Sequence, residues 1–194
     1  MVAIQTRRFT VDEYIRMSEL GILAPAERTE LVNGDIITMA AKGTAHTSAT
    51  TLTKTVFELG LQNQAIIRVQ DPIHINNYSE PEPDIVIAAR DLLAYSTHHP
   101  APDEVLLVIE VADSSLKYDL ETKAPLYATA GIHEYWVLDV IERQLHVFRQ
   151  PADGRYQEHS ILADTLEAAP LAFPELIIQI SLLLPPKPNS ELLT

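Results

Sequence analysis

Cysteine is absent from this 194-residue sequence, and basic residues and long apolar runs are scarce. Without cysteine the chain has no disulfide, no thiol nucleophile and no cysteine-ligated metal, which fits a reducing cytoplasm. No apolar run approaches the roughly 18 residues that a membrane-spanning helix needs. We therefore expect a cytoplasmic protein without a membrane partner, whose chemistry uses oxygen and nitrogen groups.

Lysine and arginine number 14 against 27 acidic residues, which makes the net charge -13 at pH 7. This balance disfavours a protein that holds nucleic acid by broad phosphate neutralisation, because each such contact needs a basic side chain. It leaves room for an enzyme that meets a phosphodiester through a bound cation, since the ion then supplies the local positive field.

The sequence has enough apolar residues, 46%, to bury a core. We predict a single domain over residues 1–184 and a loose C-terminal tail over 185–194. Apolar periodicity predicts an α/β (α+β) fold, in which helices flank a central mixed β-sheet and extra β-hairpins are added. The predicted helices are 10–20, 44–59 and 116–130. The predicted strands are 30–32, 35–39, 65–69, 73–75, 85–89, 105–111, 134–138, 145–148 and 156–162, followed by a β-rich segment from 168.

Two local signals support individual elements. Thr10 and Glu13 match a capping box, which opens a helix. Asn33-Gly34 is a strong signal for a tight hairpin turn between the strands on either side of it.

The strand predicted over 105–111 surrounds one carboxylate, Glu110, with six apolar residues. Such a strand is typical of the centre of a sheet, buried on both faces. Burying an ionised carboxylate there costs several kcal/mol unless it is paired, hydrogen-bonded or bound to a metal. Glu110 therefore needs a partner elsewhere in the chain.

Two residues can meet Glu110. Lys123 occupies the remaining slot of the apolar stripe on the 116–130 helix, which otherwise holds Leu116, Leu120, Tyr127 and Ala130. Asp84 follows Pro83 at the start of the 85–89 strand. If that strand and the 105–111 strand are antiparallel neighbours, then Asp84, Glu110 and Lys123 converge.

Convergence of these residues predicts a specific chemistry. Two close carboxylates repel unless a cation lies between them, and with one they form an oxygen-ligated site suited to Mg²⁺ or Mn²⁺. A nearby lysine can orient a water molecule or help to deprotonate it. This is the equipment for metal-assisted hydrolysis of a phosphodiester.

The same residues carry a resemblance to a known family. The chain resembles the Uma-two family, within the PD-(D/E)XK restriction-endonuclease-like superfamily, in order from about Phe9 to Leu184. The resembling segments are 28–36 (RTELVNGDI), His46, 82–87 (EPDIVI), 108–115 (VIEVADSS), 119–123 (DLETK), 126–131 (LYATAG) and 134–139 (EYWVLD).

The resemblance implies a restriction-endonuclease-like fold, DNA as the substrate, a homodimer and these roles. Asp84 and Glu110 would be the metal ligands, and Glu30 would be an additional acid lining the site. Lys123 would be the motif lysine moved onto the following helix, because the simple motif places lysine at position 112, which is Ala112.

Two further residues are candidates for substrate contact. His46 begins a helix, where it either contacts substrate phosphate or serves as a solvated or capping residue. Tyr127 shares the stripe of Lys123, so it either lines the pocket or closes the core.

Pro125 lies inside the predicted 116–130 helix. It removes the hydrogen bond to the carbonyl of Glu121 and would cost roughly 3 kcal/mol in a straight helix. We therefore expect Lys123 to lie on a bent or restarted helix.

Structural alternatives stay open for each residue of the site. Asp84 could cap a turn, Glu110 could form a purely structural pair with Lys123, and Glu30 could be an ordinary hairpin residue. Lys123 could also reach solvent or pair with Asp119 on its own helix. The matching functional alternatives are a catalytically inactive binding or assembly protein and a metal-dependent hydrolase of a small phosphodiester.

Overall fold

The fold was analysed in a computed structural model that describes residues 6–24 and 27–187. The helices are α1 (Val11–Glu19), α2 (Thr44–Leu61) and α3 (116–129), with 3₁₀ turns at Pro102–Glu104 and Ile180–Leu183. The strands are β1 (Thr29–Val32), β2 (Asp35–Thr38), β3 (Ile66–Val69), β4 (Ile85–Ala88), β5 (Val105–Ala112), β6 (Glu134–Asp139), β7 (Gln144–Ala152), β8 (Arg155–Ala163), β9 (Glu167–Ala168) and β10 (Ile178–Gln179).

A mixed six-stranded sheet in the order β3-β4-β5-β6-β7-β8 forms the centre of the fold. Only β5 and β6 are parallel, and the connection between them carries α3, as a parallel crossover requires. Every residue of β5 except Leu106 is buried, as predicted for a central strand. The prediction of an α/β fold with a mixed central sheet is confirmed.

Apolar clusters cover both faces of the sheet. On one face, Phe57 and Leu61 of α2 pack with Trp136. On the other face, Tyr127 of α3 packs with Tyr135. The two helices that the sequence predicted as flanking elements therefore lie in the two opposite core layers.

Local sequence signals fold as expected at the N-terminal side. Thr10 and Glu13 form the capping box of α1, each side chain bonding the backbone N–H of the other. Asn33 and Gly34 both have positive φ, 53° and 83°, which matches the tight turn predicted between β1 and β2.

Residues 73–75 do not form the predicted strand. Their backbone N–H groups bond to the carbonyl oxygens of Pro81, Pro100 and Ser79, which lie on separate irregular segments. Proline donates no backbone hydrogen bond, so neither Pro81 nor Pro100 can supply the N–H of a regular ladder. Ile73 belongs to the same core cluster as Val86 and Tyr127, so its side chain is buried without the backbone pairing of a strand.

The segment from 168 is less regular than the predicted β-rich structure. Its pairing is limited to β9 with β10, two residues each, and the 3₁₀ turn Ile180–Leu183 follows. In the predicted tail, the Pro185 carbonyl accepts a hydrogen bond from Arg143, and Lys187 pairs with Asp164. Residues 188–194 of that tail lie outside the described residues.

Within the described ranges, none of the helices is both long and apolar enough to cross a membrane.

Candidate active site

A cavity of about 260 Å³ opens where β4 begins and β5 ends. The loop 39–43, which precedes α2, and the helix α3 complete the walls of the cavity. Its charged and polar lining includes five acids, two lysines and one histidine: Glu30, Asp84, Glu110, Asp113, Asp119, Lys42, Lys123 and His46.

Asp84 and Glu110 face each other on adjacent strands. β4 and β5 are antiparallel with Ile85 opposite Ile109, so the preceding residue, Asp84, lies opposite Glu110. The Asp84 N–H donates to Glu110 Oε2 at 3.3 Å, and the Val111 N–H donates to Asp84 Oδ2 at 3.0 Å. The antiparallel pairing on which convergence depended is therefore present, and the Asp84 carboxylate bonds across the sheet.

Lys123 lies between two acids. Its Nζ is 2.8 Å from Glu110 Oε1 and 3.1 Å from Glu30 Oε2, and the residue is 3% exposed. The ion pairs of Lys123 thus connect β1, β5 and α3, and its side chain is almost fully buried at the edge of the cavity.

The α3 helix changes its winding to bring Lys123 inward. It consists of α-helical Leu116–Tyr118, a π-helical turn Asp119–Lys123, and α-helical Ala124–Thr129. The Ala124 N–H bonds to the carbonyl of Asp119, five residues back, and the Tyr135 hydroxyl donates to the same carbonyl at 3.3 Å. The wide turn accommodates Pro125, which lacks an N–H. The predicted bend or restart at this proline takes the form of a π-helical turn.

Glu30 reaches the cavity from β1. It is 2% exposed, and its Oε2 also accepts the backbone N–H of Glu82 at 3.1 Å. A bridge between Leu31 and Glu80 holds the hairpin against the segment that leads to Asp84. Glu30 is therefore part of the same buried network.

The two candidates for substrate contact, His46 and Tyr127, differ in their position relative to the cavity. His46 lines the cavity, and its Nε2 is 2.9 Å from Asp84 Oδ2. Tyr127 is fully buried behind the cavity, where its hydroxyl donates to Glu110 Oε1 at 3.0 Å. The structure thus places His46 against Asp84 and Tyr127 against Glu110.

Three polar residues of the site were missed by sequence reasoning. Lys42 Nζ and Gln70 Nε2 each lie 3.3 Å from Asp84 Oδ1, and Asp119 accepts a hydrogen bond from Ser115 at 2.6 Å. Lys42 stands four residues before His46, which is the one spacing that could have suggested it. No pattern in the sequence points to Gln70, because it reaches Asp84 from the end of an adjacent strand.

Burial and charge shift the acids of the cavity in different directions. Burial raises the pKa of Glu110 to about 8, with Lys123 opposing the shift and the neighbouring acids adding to it. Burial likewise raises the pKa of Asp119 to about 6. Burial also acts to raise the pKa of Asp84, but the hydrogen bond and charge of His46 and the Val111 N–H lower it below its ordinary value.

Lys123 remains protonated. Burial acts to lower its pKa, but the charges of Glu110 and Glu30 raise it above the ordinary value for lysine. Since Lys123 carries the positive charge, the raised pKa of Glu110 reflects its burial first and the surrounding acids second, rather than a missing partner.

The donor set fits a hard divalent cation. Surplus carboxylates in a partly enclosed cavity are stabilised by a proton or by a cation. Within the described part of the chain, no group of three or more His, Asp or Glu side chains is arranged to hold a metal. Asp84 and Glu110 would thus be the two protein carboxylates, with water and substrate at the other positions, as Mg²⁺ commonly binds.

Comparisons with known proteins identify the fold and the family. None of the curated proteins matches the sequence. A crystal structure described as "a putative nuclease belonging to DUF820", from Anabaena variabilis ATCC 29413, matches with a TM-score of 0.68. The match covers 90% of this chain and 97% of that chain at 19% identity, and it shows a shared fold.

The family model of Uma2, described as "Putative restriction endonuclease", matches residues 11–181. This range contains every acid of the cavity and Lys123. The chain therefore belongs to the Uma2 family, the Uma-two family that its motifs resemble.

Proposed function

We propose that this protein is a metal-dependent phosphodiesterase, and specifically a DNA endonuclease of the PD-(D/E)XK type. The observation that carries the proposal is the meeting of Asp84, Glu110 and Lys123 at one cavity, reached from two strands and a helix. Membership of the Uma2 family, whose model is described in terms of restriction endonucleases, supports the same reaction class.

Asp84 and Glu110 would hold Mg²⁺ or Mn²⁺. Such an ion supplies stabilisation of charge on a phosphoryl oxygen and lowers the pKa of a water molecule. The backbone N–H groups that bond these carboxylates keep both in place on the sheet. His46 orients Asp84 from the cavity wall, and Tyr127 orients Glu110 from behind the cavity. Contact of His46 with the substrate's phosphate stays a prediction.

Lys123 acts as a charged donor in this proposal. Two of its ammonium hydrogens are directed to Glu110 and Glu30, which leaves the third free to hold and orient the attacking water. Because Lys123 stays protonated, it does not itself remove a proton from that water. Glu30 assists by holding the ammonium in place.

The test is a cleavage assay on supercoiled plasmid and single-stranded DNA with Mg²⁺, Mn²⁺ or EDTA. The wild type should cut only with metal, and the Asp84→Ala/Glu110→Ala double variant should not cut. Glu58→Ala and Glu121→Ala are matched controls, because both remove exposed acids that pair with surface lysines. A folded wild type that cuts nothing at low salt with either metal would overturn the endonuclease proposal.

Metal binding can be tested separately from cleavage. A ligand that binds only the folded state raises its stability, by about 2.7 kcal/mol at one hundred times the dissociation constant. Mn²⁺ should therefore raise the melting temperature of the wild type and not that of Asp84→Ala. An equal rise in both would contradict the role of Asp84 as a ligand.

The charge of the molecule favours a second candidate, a hydrolase of a small phosphodiester. A net charge of -13 and an acid-rich cavity repel a polyanion more than a small monoanion. Metal-dependent hydrolysis of bis(p-nitrophenyl) phosphate without any cutting of DNA would favour this candidate. A protein that neither binds metal nor cuts either substrate would be an inactive binding or assembly protein.

We also propose a homodimer, because one cavity per chain cuts one DNA strand at a time. Sedimentation equilibrium would give the mass in solution, and a monomer at micromolar concentration would contradict the proposal.

A further inference from the structure

Of the two lysines that line the cavity, Lys42 is the more loosely paired. Its Nζ is 3.3 Å from Asp84 Oδ1 and its side chain is 18% exposed, whereas the side chain of Lys123 is 4% exposed and lies closer to its acids. A distance of 3.3 Å exceeds the usual range of roughly 2.7–3.2 Å for a hydrogen bond from nitrogen to oxygen. Lys42 is therefore held weakly on a carboxylate that the proposed function gives to the metal.

The two oxygens of Asp84 are held unequally. Oδ2 accepts the Val111 N–H at 3.0 Å and lies 2.9 Å from His46 Nε2. Oδ1 has only the two 3.3 Å contacts with Lys42 and Gln70. A cation therefore loses the least hydrogen bonding by approaching Oδ1, the oxygen that Lys42 occupies.

We propose that Lys42 is a displaceable internal cation, which neutralises Asp84 in the metal-free protein and moves to the substrate's phosphate when a divalent cation takes Oδ1. The inference rests on the proposed function. Its physical basis is that an ammonium and a divalent cation repel each other strongly when they share one carboxylate oxygen. Binding of the metal and the present position of Lys42 are therefore competitive.

The charges of the cavity indicate where Lys42 goes. Among the described residues that line it, Lys123 and His46 already have partners within 3.1 Å. Of the basic side chains described in the lining, Lys42 is then the one without an acid partner, because it has left Asp84. A partly buried ammonium needs a counter-charge, and a phosphodiester next to the metal supplies one.

The first measurement is a Mn²⁺ titration of the full chain, in which the free ion is followed by electron paramagnetic resonance. Lys42→Met should bind Mn²⁺ about fivefold more tightly than wild type, since a partly exposed ion pair no longer competes. Lys42→Arg, which keeps the positive charge, should keep the wild-type affinity. Lys54→Met, which removes an exposed lysine of α2 paired with Glu58, should change nothing.

The second measurement is the KM for the cleaved substrate. Lys42→Met should raise KM while it tightens Mn²⁺ binding, a combination that a merely structural lysine would not produce. Mn²⁺ affinity in Lys42→Met that equals or falls below wild type would overturn the role of Lys42 and leave the proposed function standing. No Mn²⁺ binding by the wild type or by any variant would overturn both.

Discussion

Two buried acid–base clusters lie on the same sheet, and they differ in what surrounds them. In the Glu134 cluster, Arg149 of β7 donates two hydrogen bonds to Glu134 Oε1, at 2.8 and 2.6 Å. Trp136 and the Leu171 N–H complete the partners of the same carboxylate. In the site cluster, defined as Glu30, Asp84, Glu110 and Lys123, two of the three acids share one buried lysine, and all four residues line a cavity. The third acid, Asp84, pairs with Lys42 and His46.

The comparison distinguishes an ion pair that stabilises the fold from a charged cluster that can take part in a reaction. One acid and one arginine balance in the Glu134 cluster, which also ties the segment 169–171 to the sheet through the Ala169 carbonyl. The site cluster has more acids than bases, and its geometry leaves them facing an open space. Surplus charge at a cavity is what a cation or a reacting group can use.

The largest effect should come from removing the lysine of the site cluster. Lys123→Ala should reduce cleavage by roughly 10³-fold, the upper end for loss of one preorganised charged donor, while Mn²⁺ still binds. Single-turnover cleavage and Mn²⁺ titration measure the two properties, with Lys117→Ala on the exposed face of α3 as the control. Loss of metal binding together with activity would contradict the assigned role of Lys123.

Glu134→Ala should act on stability rather than chemistry. It leaves Arg149 without its partner and should lower the free energy of unfolding by about 3 kcal/mol, the lower end for a broken buried pair. The lower end applies because the Arg149 side chain keeps 28% exposure. Urea denaturation checks this value, with Glu142→Ala in the neighbouring turn as the control. Cleavage per folded molecule should stay unchanged, and its loss would undo the contrast between the clusters.

Glu110→Gln should have the opposite effect from Glu134→Ala and raise the free energy of unfolding. It removes one negative charge from an acid-rich cavity while the amide oxygen can still accept from Tyr127, so the metal-free protein should gain on the order of 1 kcal/mol. Glu134→Gln should lose stability. The two melting temperatures, measured in EDTA at pH 8, make the comparison, and a lower value for Glu110→Gln would show that Glu110 is also structural.

A pH dependence due to Asp119 gives a further test of the acid-rich cluster. Burial raises its pKa to about 6 from an ordinary value of 3.8, so the folded state binds the proton more tightly than the unfolded state. This stabilisation is fully present below about pH 4 and is lost as the pH rises through about 6. Asp119→Asn should flatten the stability curve over that range in urea titrations in EDTA, and an unchanged curve would contradict the shift.

Local signals predicted several elements of the fold. The capping box of α1, the Asn33-Gly34 turn and the buried run of β5 depend on neighbours within a few residues, so their patterns are visible in the chain. The strand predicted over 73–75 failed for the opposite reason. Ile73 is buried in the core while the backbone of this segment bonds to irregular segments, and an apolar pattern indicates burial of side chains but not pairing of the backbone.

The residues of the site also divide into those that the sequence pattern predicted and those that it did not. Asp84, Glu110 and Lys123 were each conspicuous, because a charge in an apolar context needs a partner. Lys42 and Gln70 gave no comparable signal, since a polar residue in a loop or at a strand end is ordinary until its side chain is seen to reach an acid. The sequence predicted that Lys123 turns inward, but not the π-helical turn that brings it there.

By itself, the sequence determined which charges must be buried, and hence which residues had to meet. The tertiary structure decided how they meet. The register of β4 against β5 places Asp84 opposite Glu110, and the bond of Tyr135 to the Asp119 carbonyl supports the turn before Lys123. Burial of a charge is a property of one residue and its neighbours in the chain, whereas distances and charge balance depend on strands and helices far apart in sequence.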